Sequence, residues 1–194
     1  VVGLPLGRVV GLYVGWRMTF LSIAIISALI FVFILMVFPK LQSRGKFAFK
    51  ELPTLLHNRV LLGVFIMSVL FATAHYTGYS YIEPFLGKVA AMSPDTVTLV
   101  FGGSGMFGSI AFSKYYMSNR RRFMLAVTLG PALCMLLLQA ATMGMAYILA
   151  VCILWGAMAT AFNIAFQDNT IRFAPEHATS IAMSIFSGIF NLGI

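Results

Sequence analysis

The amino-acid sequence predicts an all-α polytopic membrane protein, and three observations support this fold class. Hydrophobic residues make up 60% of the 194 residues and charged residues only 9%, whereas about a quarter of the residues of a soluble domain are charged. The apolar residues form runs of roughly 20, which is the length of a membrane-spanning helix. Basic residues are concentrated in every second connection between these runs. A chain with so few charges could not cover its surface in water, so lipid is its expected solvent.

The apolar runs predict a partial helix, five complete helices and a last, interrupted one. In order, the predicted helices are 3–14, 18–38, 60–81, 97–112, 123–142, 146–166 and 178–194. Pro39 follows the second helix, where a proline cannot continue it. Ser93-Pro94 suits the start of the fourth, as cap and first helical residue. Because the first and last runs are incomplete, we expect a fragment of a longer protein.

The basic residues predict the orientation of the helices. Three connections, 39–59, 113–122 and 167–177, contain most of the lysines and arginines, and they alternate with connections that contain few. Cytoplasmic loops carry such an excess of Lys and Arg, so these three are predicted to be cytoplasmic. The first of them can form a short amphipathic helix at the membrane surface. The same distribution explains the net charge of +8 without a nucleic-acid partner, which would need a basic, aromatic-studded polar face.

Small residues recur at four-residue spacing in three of the predicted helices. The face on the first comprises Gly3, Gly7, Gly11 and Gly15, with Pro5 among them. The other two faces include Gly105 with Ser109, and Ser184 with Gly188. Helices in lipid approach closely through small residues, and a proline can kink a helix. These faces therefore predict helix packing, either as fixed contacts or as interfaces that slide during a functional cycle.

Polar aromatic residues mark the end of the helix predicted at 60–81. His75 and Tyr79 lie on one face, and Tyr76 begins the neighbouring face with Ser80. Tyrosines at the membrane interface would explain part of this pattern. An imidazole within the span is costly unless it meets a partner or a water-filled cavity. We therefore predict that His75, Tyr76 and Tyr79 line a polar cavity, where rings with hydroxyls suit a sugar or a nucleoside.

A second group of candidate cavity residues consists of amide side chains. Asn163 and Gln167 are four residues apart on the helix predicted at 146–166 and its edge, so they face the same way. Asn191 is a further candidate on the last helix. Such amides either hydrogen-bond to neighbouring helices or contact a substrate, and both interpretations stay open on the sequence.

Motifs of enzymes and of metal or cofactor sites are not found in the sequence. It contains no phosphate-binding Gly-x-x-x-x-Gly-Lys-Ser/Thr loop, no Gly-x-Ser-x-Gly and no His-Glu-x-x-His. Cys134 and Cys152 lie within apolar runs, where buried free thiols are expected. We predict no catalytic residue, no metal and no cofactor.

Three stretches resemble one known family. They are Gly-Leu-Pro-Leu-Gly-Arg-Val-Val-Gly at 3–11, Ala-His-Tyr-Thr-Gly-Tyr-Ser-Tyr-Ile-Glu-Pro-Phe at 74–85, and Met-Ser-Ile-Phe-Ser-Gly-Ile-Phe-Asn at 183–191. The sequence is similar over its whole length to the major facilitator superfamily, and specifically to bacterial sugar efflux transporters of the drug:proton antiporter type. The first stretch looks like the antiporter signature of the fifth helix of that family.

The resemblance implies a helical bundle of which this chain runs from late helix five to helix eleven of twelve. Residues 1–39 would end the N-terminal half, 40–58 would form the central cytoplasmic loop, and 59–194 would belong to the C-terminal half. It further implies a monomer in a bacterial inner membrane that exports a sugar-like solute in exchange for protons. The alternatives are efflux of amphipathic drugs, a non-transporting membrane subunit and, least favoured, an intramembrane enzyme.

Overall fold

A computed structural model describes residues 11, 13–37, 52–89, 94–139 and 144–193. Within these residues the chain forms seven α-helices and no strand, which confirms the predicted all-α class. The helices are α1 (Trp16–Val37), α2 (Leu52–His57), α3 (Arg59–Val89), α4 (Pro94–Tyr115), α5 (Arg120–Leu137), α6 (Met145–Phe173) and α7 (Thr179–Leu192), with a 3-10 turn at Glu176–Ala178. By length and composition, Trp16–Val37, Arg59–Lys88 and Met145–Phe173 can each cross a membrane.

The chain divides into two compact units, 1–47 and 48–194. In the first, α1 exposes its apolar side chains on all sides from residue 23 to residue 37, as a helix surrounded by lipid does. Gly15 has a φ of +99°, a conformation that glycine adopts without strain and that does not continue an α-helix. A single helix therefore does not pass through Gly15, and the predicted glycine face ends before it. Gly11 lies next to Thr19, whereas Gly3, Pro5 and Gly7 lie outside the described residues.

Three helices of the second unit are longer than predicted, and one of them is α4, which covers Pro94–Tyr115 where 97–112 was predicted. The helix predicted at 60–81 continues to Val89 with Pro84 inside it, because a proline removes one backbone hydrogen bond without always ending a helix. The helix predicted at 146–166 continues to Phe173, so the predicted connection 167–177 begins at residue 174. In its polar last turns the buried Thr170 satisfies its hydroxyl by donating a hydrogen bond to the Phe166 carbonyl at 2.8 Å.

The other basic connections are also shorter than predicted. Between α4 and α5 only residues 116–119 are outside the helices, rather than 113–122. The side-chain oxygen of Asn119 accepts a hydrogen bond from the Arg122 N–H at 3.1 Å. Asn119 is therefore the N-cap of α5, which begins at Arg120. The connection 39–59 contains the short helix α2, in the region where an amphipathic helix was predicted. Leu55 of α2 is completely buried. Residues 38–51 lie outside the described residues.

The second unit is organised around α6, which packs against α3, α4, α5 and α7. Side chains of α6 enter two hydrophobic clusters. One contains Trp155 and Cys152 of α6 with Cys134 of α5. The other contains Phe162 of α6 with Phe186 of α7. Both cysteines are buried and free. Because α6 is shared by both clusters, it is the helix that positions the rest of the unit.

The contact of α4 with α6 depends on small residues. A Cβ at Gly108 would overlap the carbonyl oxygen of Ala157, and a Cβ at Gly156 would overlap the hydroxyl of Ser104. The close contact therefore involves Ser104 and Gly108. The predicted face contained Gly105, which is buried, and Ser109, which is exposed. A shift of one residue turns the helix by about 100°, so Ser104 and Gly108 lie on a neighbouring face, and packing through Gly105 and Ser109 stays a prediction.

The small-residue face of α7 has no helix packed on it among the described residues. Ser184 is exposed and donates its hydroxyl hydrogen to the Ser180 carbonyl at 2.9 Å. A Cβ at Gly188 would meet no heavy atom within 4 Å. Close packing at Ser184 and Gly188 stays a prediction.

Asn58 joins the start of α3 to the end of α6. Its side-chain oxygen accepts hydrogen bonds from the N–H groups of Val60 at 3.1 Å and Leu61 at 3.3 Å, which caps α3. Its amide nitrogen donates to the Phe173 carbonyl at 3.1 Å. One side chain thus satisfies backbone groups at two helix ends.

Candidate functional site

His75 lies half-buried on α3 and faces α6. The indole Nε1–H of Trp155 donates a hydrogen bond to Nδ1 of His75 at 3.1 Å. Since Nδ1 accepts this bond, the neutral imidazole carries its hydrogen on Nε2. Trp155 is almost completely buried, so its position is fixed by packing. The bond therefore selects one tautomer of His75 and orients its second nitrogen as a donor.

Aromatic rings surround His75. Phe71 stacks on it with ring centroids 5.7 Å apart, and Tyr79 lies 6.3 Å away at a small interplanar angle. Tyr76 meets it edge-on at 5.2 Å. The predicted residues His75, Tyr76 and Tyr79 are thus brought into one cluster with Trp155. This cluster offers ring faces and hydrogen-bonding groups together, and we call it the His75 cluster.

Asn163 and Gln167 form a separate pair further along α6. The Gln167 amide nitrogen donates to the Asn163 side-chain oxygen at 2.6 Å, and both residues are half-buried. Asn163 is eight residues from Trp155, or about 12 Å along the helix. The pair and the His75 cluster therefore share a helix without touching through any described hydrogen bond.

The amide pair lies on the same face of α6 as two of its contacts with α4. α4 contacts Gly156 near Ser104, then Thr160 near Gly108, and finally Asp168 through Tyr116. On a helix of 3.6 residues per turn, Gly156, Thr160, Asn163 and Gln167 lie within about 60° of one another, whereas Asp168 is turned about 100° from Gln167. Both amides are half-buried on this face.

Asn191 is not joined to either group. It is exposed on α7, and its amide nitrogen donates to the Ser187 carbonyl of its own helix at 2.7 Å. Its neighbour Phe190 contacts the Tyr76 ring edge-on at 6.2 Å. α7 thus reaches the edge of the His75 cluster through Phe190, and a role of Asn191 in a cavity stays a prediction.

Two clefts lie beside the His75 cluster, between α3 and α5. The first, of about 220 Å³, is lined by His75 and by apolar residues of both helices, and we call it the His75 cleft. The second, of about 280 Å³, is lined by Trp155, Gly78 and further apolar residues, and we call it the Trp155 cleft. Met135 lines both. Of the His75 cluster, His75 forms part of the wall of the first cleft and Trp155 part of the wall of the second.

Sequence reasoning missed a polar network where α4 ends. The buried Tyr116 donates its hydroxyl hydrogen to the Asp168 carboxylate at 2.7 Å and accepts one from the Asn169 amide at 3.2 Å. The Arg120 guanidinium lies over the Tyr116 ring, 5.0 Å from its centroid. Burial and the Asp168 carboxylate raise the pKa of Tyr116 to about 12. The only sequence signal was the polar run Gln167–Asn169, which was interpreted as the start of a loop.

The described residues contain no group of three or more His, Cys, Asp or Glu side chains that could hold a metal ion. What α3 and α6 place together is instead a pair of rings joined by a hydrogen bond, with aromatic neighbours and half-buried amides. Such an arrangement can bind a small solute through ring faces and hydrogen bonds.

Comparison of the sequence with protein families agrees with the helical, membrane-spanning architecture. The family model described as Major Facilitator Superfamily matches residues 1–194, which is the whole chain. The helical fold, the apolar spans and this match agree, and the protein belongs to the major facilitator superfamily of membrane transporters.

Proposed function

We propose that the protein exports a sugar or a sugar-like small solute in exchange for protons, by alternating access. In this mechanism two halves of a transporter rock around a site near the middle of the membrane. Residues 1–39 would belong to the N-terminal half, 40–58 to the central cytoplasmic loop and 59–194 to the C-terminal half. The partners would be the solute, protons and the lipid of a bacterial inner membrane, and the transporter would act as a monomer.

The observation that carries this proposal is the hydrogen bond from Trp155 to His75. It leaves the Nε2–H of His75 as an oriented donor beside the rings of Tyr76 and Tyr79. A hydroxylated ring needs both an apolar face to stack on and donors for its oxygens. A donor whose direction is fixed before the solute binds raises the affinity of the site, because less conformational entropy is lost on binding.

The half-buried amides extend this site along α6. Asn163 and Gln167 are half-buried and present amide donors and acceptors on one face of α6. Amides that hydrogen-bond to each other can exchange that bond for one to a solute at little cost. In the proposed transporter they contact the solute from the C-terminal half, about 12 Å along α6 from Trp155.

The proposal is tested with the full protein in cells loaded with labelled sugars and nucleosides. Export is measured with and without a protonophore, for the wild type and for His75→Ala, Tyr79→Ala and Asn163→Ala. Tyr115→Ala is the matched aromatic control, because Tyr115 is 55% exposed and lines neither cleft. We expect one solute class whose export needs the proton gradient, falls at least about tenfold in the three variants and stays near wild type in Tyr115→Ala.

Three other results of this experiment would each contradict a different part of the proposal. Export that persists in His75→Ala and Asn163→Ala would disprove the site while leaving the transport activity. Export at the same rate with and without the protonophore would disprove the coupling to protons. A protein that exports no solute of the panel would contradict sugar-like efflux.

Efflux of amphipathic drugs is the second candidate, and the apolar lining of the His75 and Trp155 clefts favours it. A drug site depends on apolar contacts and tolerates the loss of single polar groups. In this case Asn163→Ala would retain export, while Phe71→Ala and Tyr79→Ala would lose it.

A further inference from the structure

The indole of Trp155 is held in one position by its neighbours. It lies against α3 at Gly78, where a Cβ would come within 3.1 Å of the indole ring. The Phe101 ring of α4 packs edge-on against it, with ring centroids 5.0 Å apart. Trp155 is almost completely buried, in the hydrophobic cluster that also contains Cys134 and Cys152. Because this packing fixes the indole, its N–H points towards Nδ1 of His75 in one direction only.

His75 can bind a second hydrogen only at Nδ1. The neutral imidazole carries its hydrogen on Nε2, so the lone pair that remains for a proton is that of Nδ1. The same lone pair accepts the indole hydrogen of Trp155 at 3.1 Å. A protonated imidazole has a donor at each nitrogen and no acceptor. The bound proton and the hydrogen bond from Trp155 therefore exclude each other.

The side chains shown around His75 carry no formal charge. The titratable ones among them, and among the residues of the Trp155 cluster, are neutral at neutral pH, and they are Tyr76 and Tyr79 of α3, Cys134 of α5 and Cys152 of α6. On α5, the residues that line the cleft beside His75 are Thr128, Pro131, Ala132 and Met135. α4 and α7 contribute the rings of Phe101 and Phe190. Within the described ranges, no carboxylate contacts His75, so no ion pair would hold a protonated ring beside Trp155.

We propose that His75 and Trp155 form a proton-dependent contact between α3 and α6, in which a proton bound at Nδ1 breaks the hydrogen bond and turns the imidazole away from the indole. Two N–H groups that point at each other repel. Since packing fixes Trp155, the imidazole is the ring that turns. The turn moves the Nε2–H donor out of the direction that the bond to Trp155 gives it.

This contact makes the proton and the solute compete at one residue, a consequence that rests on the proposed function. The solute binds the Nε2–H of the neutral ring that is bonded to Trp155, whereas the proton binds Nδ1 of the released ring. By linkage, each ligand weakens the binding of the other by the same factor. A site that holds one or the other is what the exchange of a solute for a proton requires. Trp155 is then a positioning residue that acts through His75.

The test is a pH titration of the full protein in detergent, followed by nuclear magnetic resonance with isotope-labelled histidine and tryptophan. The ring nitrogens of His75 report its tautomer and its protonation, and the indole N–H signal of Trp155 reports the hydrogen bond. The signals are assigned by their loss in His75→Gln and Trp155→Phe. We expect the Nε2–H tautomer at neutral pH. As the pH falls, the indole signal should shift with the same midpoint as the protonation of His75.

Two variants separate the hydrogen bond from its surroundings. Trp155→Phe keeps a ring and removes the donor. It should raise the proton affinity of His75 about fivefold, because a hydrogen bond made only by the neutral form contributes about that factor. Thr128→Val is the matched control, since it removes a hydroxyl from the wall of the His75 cleft at nearly constant volume. It should leave the proton affinity of His75 unchanged.

Three results would overturn the proposal. They are an indole signal that stays constant while His75 is protonated, the same proton affinity of His75 in Trp155→Phe and in the wild type, and a His75 that stays neutral until the protein unfolds. None of these measurements needs a solute. Their failure would therefore leave the proposed export intact, and a failure to export any solute of the panel would leave the result of this titration as it stands.

Discussion

The contact between α4 and α6 and the contact between α3 and α5 are built in opposite ways. In the first, Gly108 and Gly156 have no side chain, and the helix backbones approach until a single Cβ would overlap a neighbour. In the second, the helices are held apart, and clefts of about 220 and 280 Å³ remain between them. In lipid, apolar side chains gain little by leaving the solvent, so close packing of small residues joins helices. The difference indicates a close contact between α4 and α6 and a looser one between α3 and α5.

The largest effect is expected from Gly108→Ala. The new Cβ would overlap the Ala157 carbonyl oxygen and lie 3.1 Å from Thr160 Cβ. Because the first neighbour is backbone, α4 and α6 must separate, at a cost of about 3 kcal/mol in the free energy of unfolding. The measurement is unfolding of the detergent-solubilised protein. Gly103→Ala is the control on the same helix, since its Cβ would meet nothing within 4 Å. Equal stability of the two variants would contradict the close contact.

A somewhat smaller effect is expected from Gly156→Ala. Its Cβ would overlap the hydroxyl of Ser104, which is a side chain, and would lie 3.1 Å from an atom of the Phe101 ring. We expect a loss of about 2 kcal/mol. Adding Ser104→Ala removes the overlapping oxygen and should restore about half of the loss, so the two changes should not be additive. Strict additivity in this double-mutant cycle would show that Ser104 is not the neighbour that matters.

Tyr116→Phe tests whether the contact of α4 with α6 extends beyond the glycines. It removes the hydrogen bonds to Asp168 and from Asn169, and should lower stability by about 1 kcal/mol at neutral pH. The pKa of Tyr116 is raised from 10.0 to about 12. The folded state therefore keeps a proton that the unfolded state releases, and the stabilisation present below pH 10 is lost as the pH rises to about 12. The difference between wild type and Tyr116→Phe should shrink over this range in unfolding experiments, and a constant difference would contradict the hydrogen bond.

The smallest effect is expected in the His75 cleft. Ala132→Leu enlarges an exposed side chain that lines this cleft. Since the cleft has room, the free energy of unfolding should change by no more than about 0.5 kcal/mol. A loss as large as that of Gly156→Ala would mean that α3 and α5 are packed as closely as α4 and α6.

The same comparison explains which parts of the structure could be predicted from the sequence. The helices follow from apolar runs and from local signals such as Ser93-Pro94, because a span depends on length and composition alone. The helix ends at Val89 and Phe173 were missed, since Pro84 and the polar turn after Phe166 look like stops until their neighbours are known. Local patterns thus predict a helix better than its boundaries.

The contacts between helices were predicted less well. Gly105 with Ser109 and Ser104 with Gly108 are both pairs of small residues at four-residue spacing, and only the position of α6 distinguishes them. His75 was singled out because an imidazole in a span needs a partner. The partner, Trp155, is 80 residues away on α6, and no local pattern connects the two. The two clefts between α3 and α5 were not predicted at all, because a cleft is a space between side chains rather than a motif.

Asn58 sets a condition on how the second unit can move. Its side chain bonds at once to two N–H groups at the start of α3 and to the carbonyl at the end of α6. Any motion that slides α3 past α6 at this end must break the bond to Phe173 while the cap of α3 remains. A rotation of the whole unit breaks none of these bonds. Asn58 therefore links the two helix ends, and this link of about 1 kcal/mol is kept when α3 and α6 turn together and lost when one slides past the other.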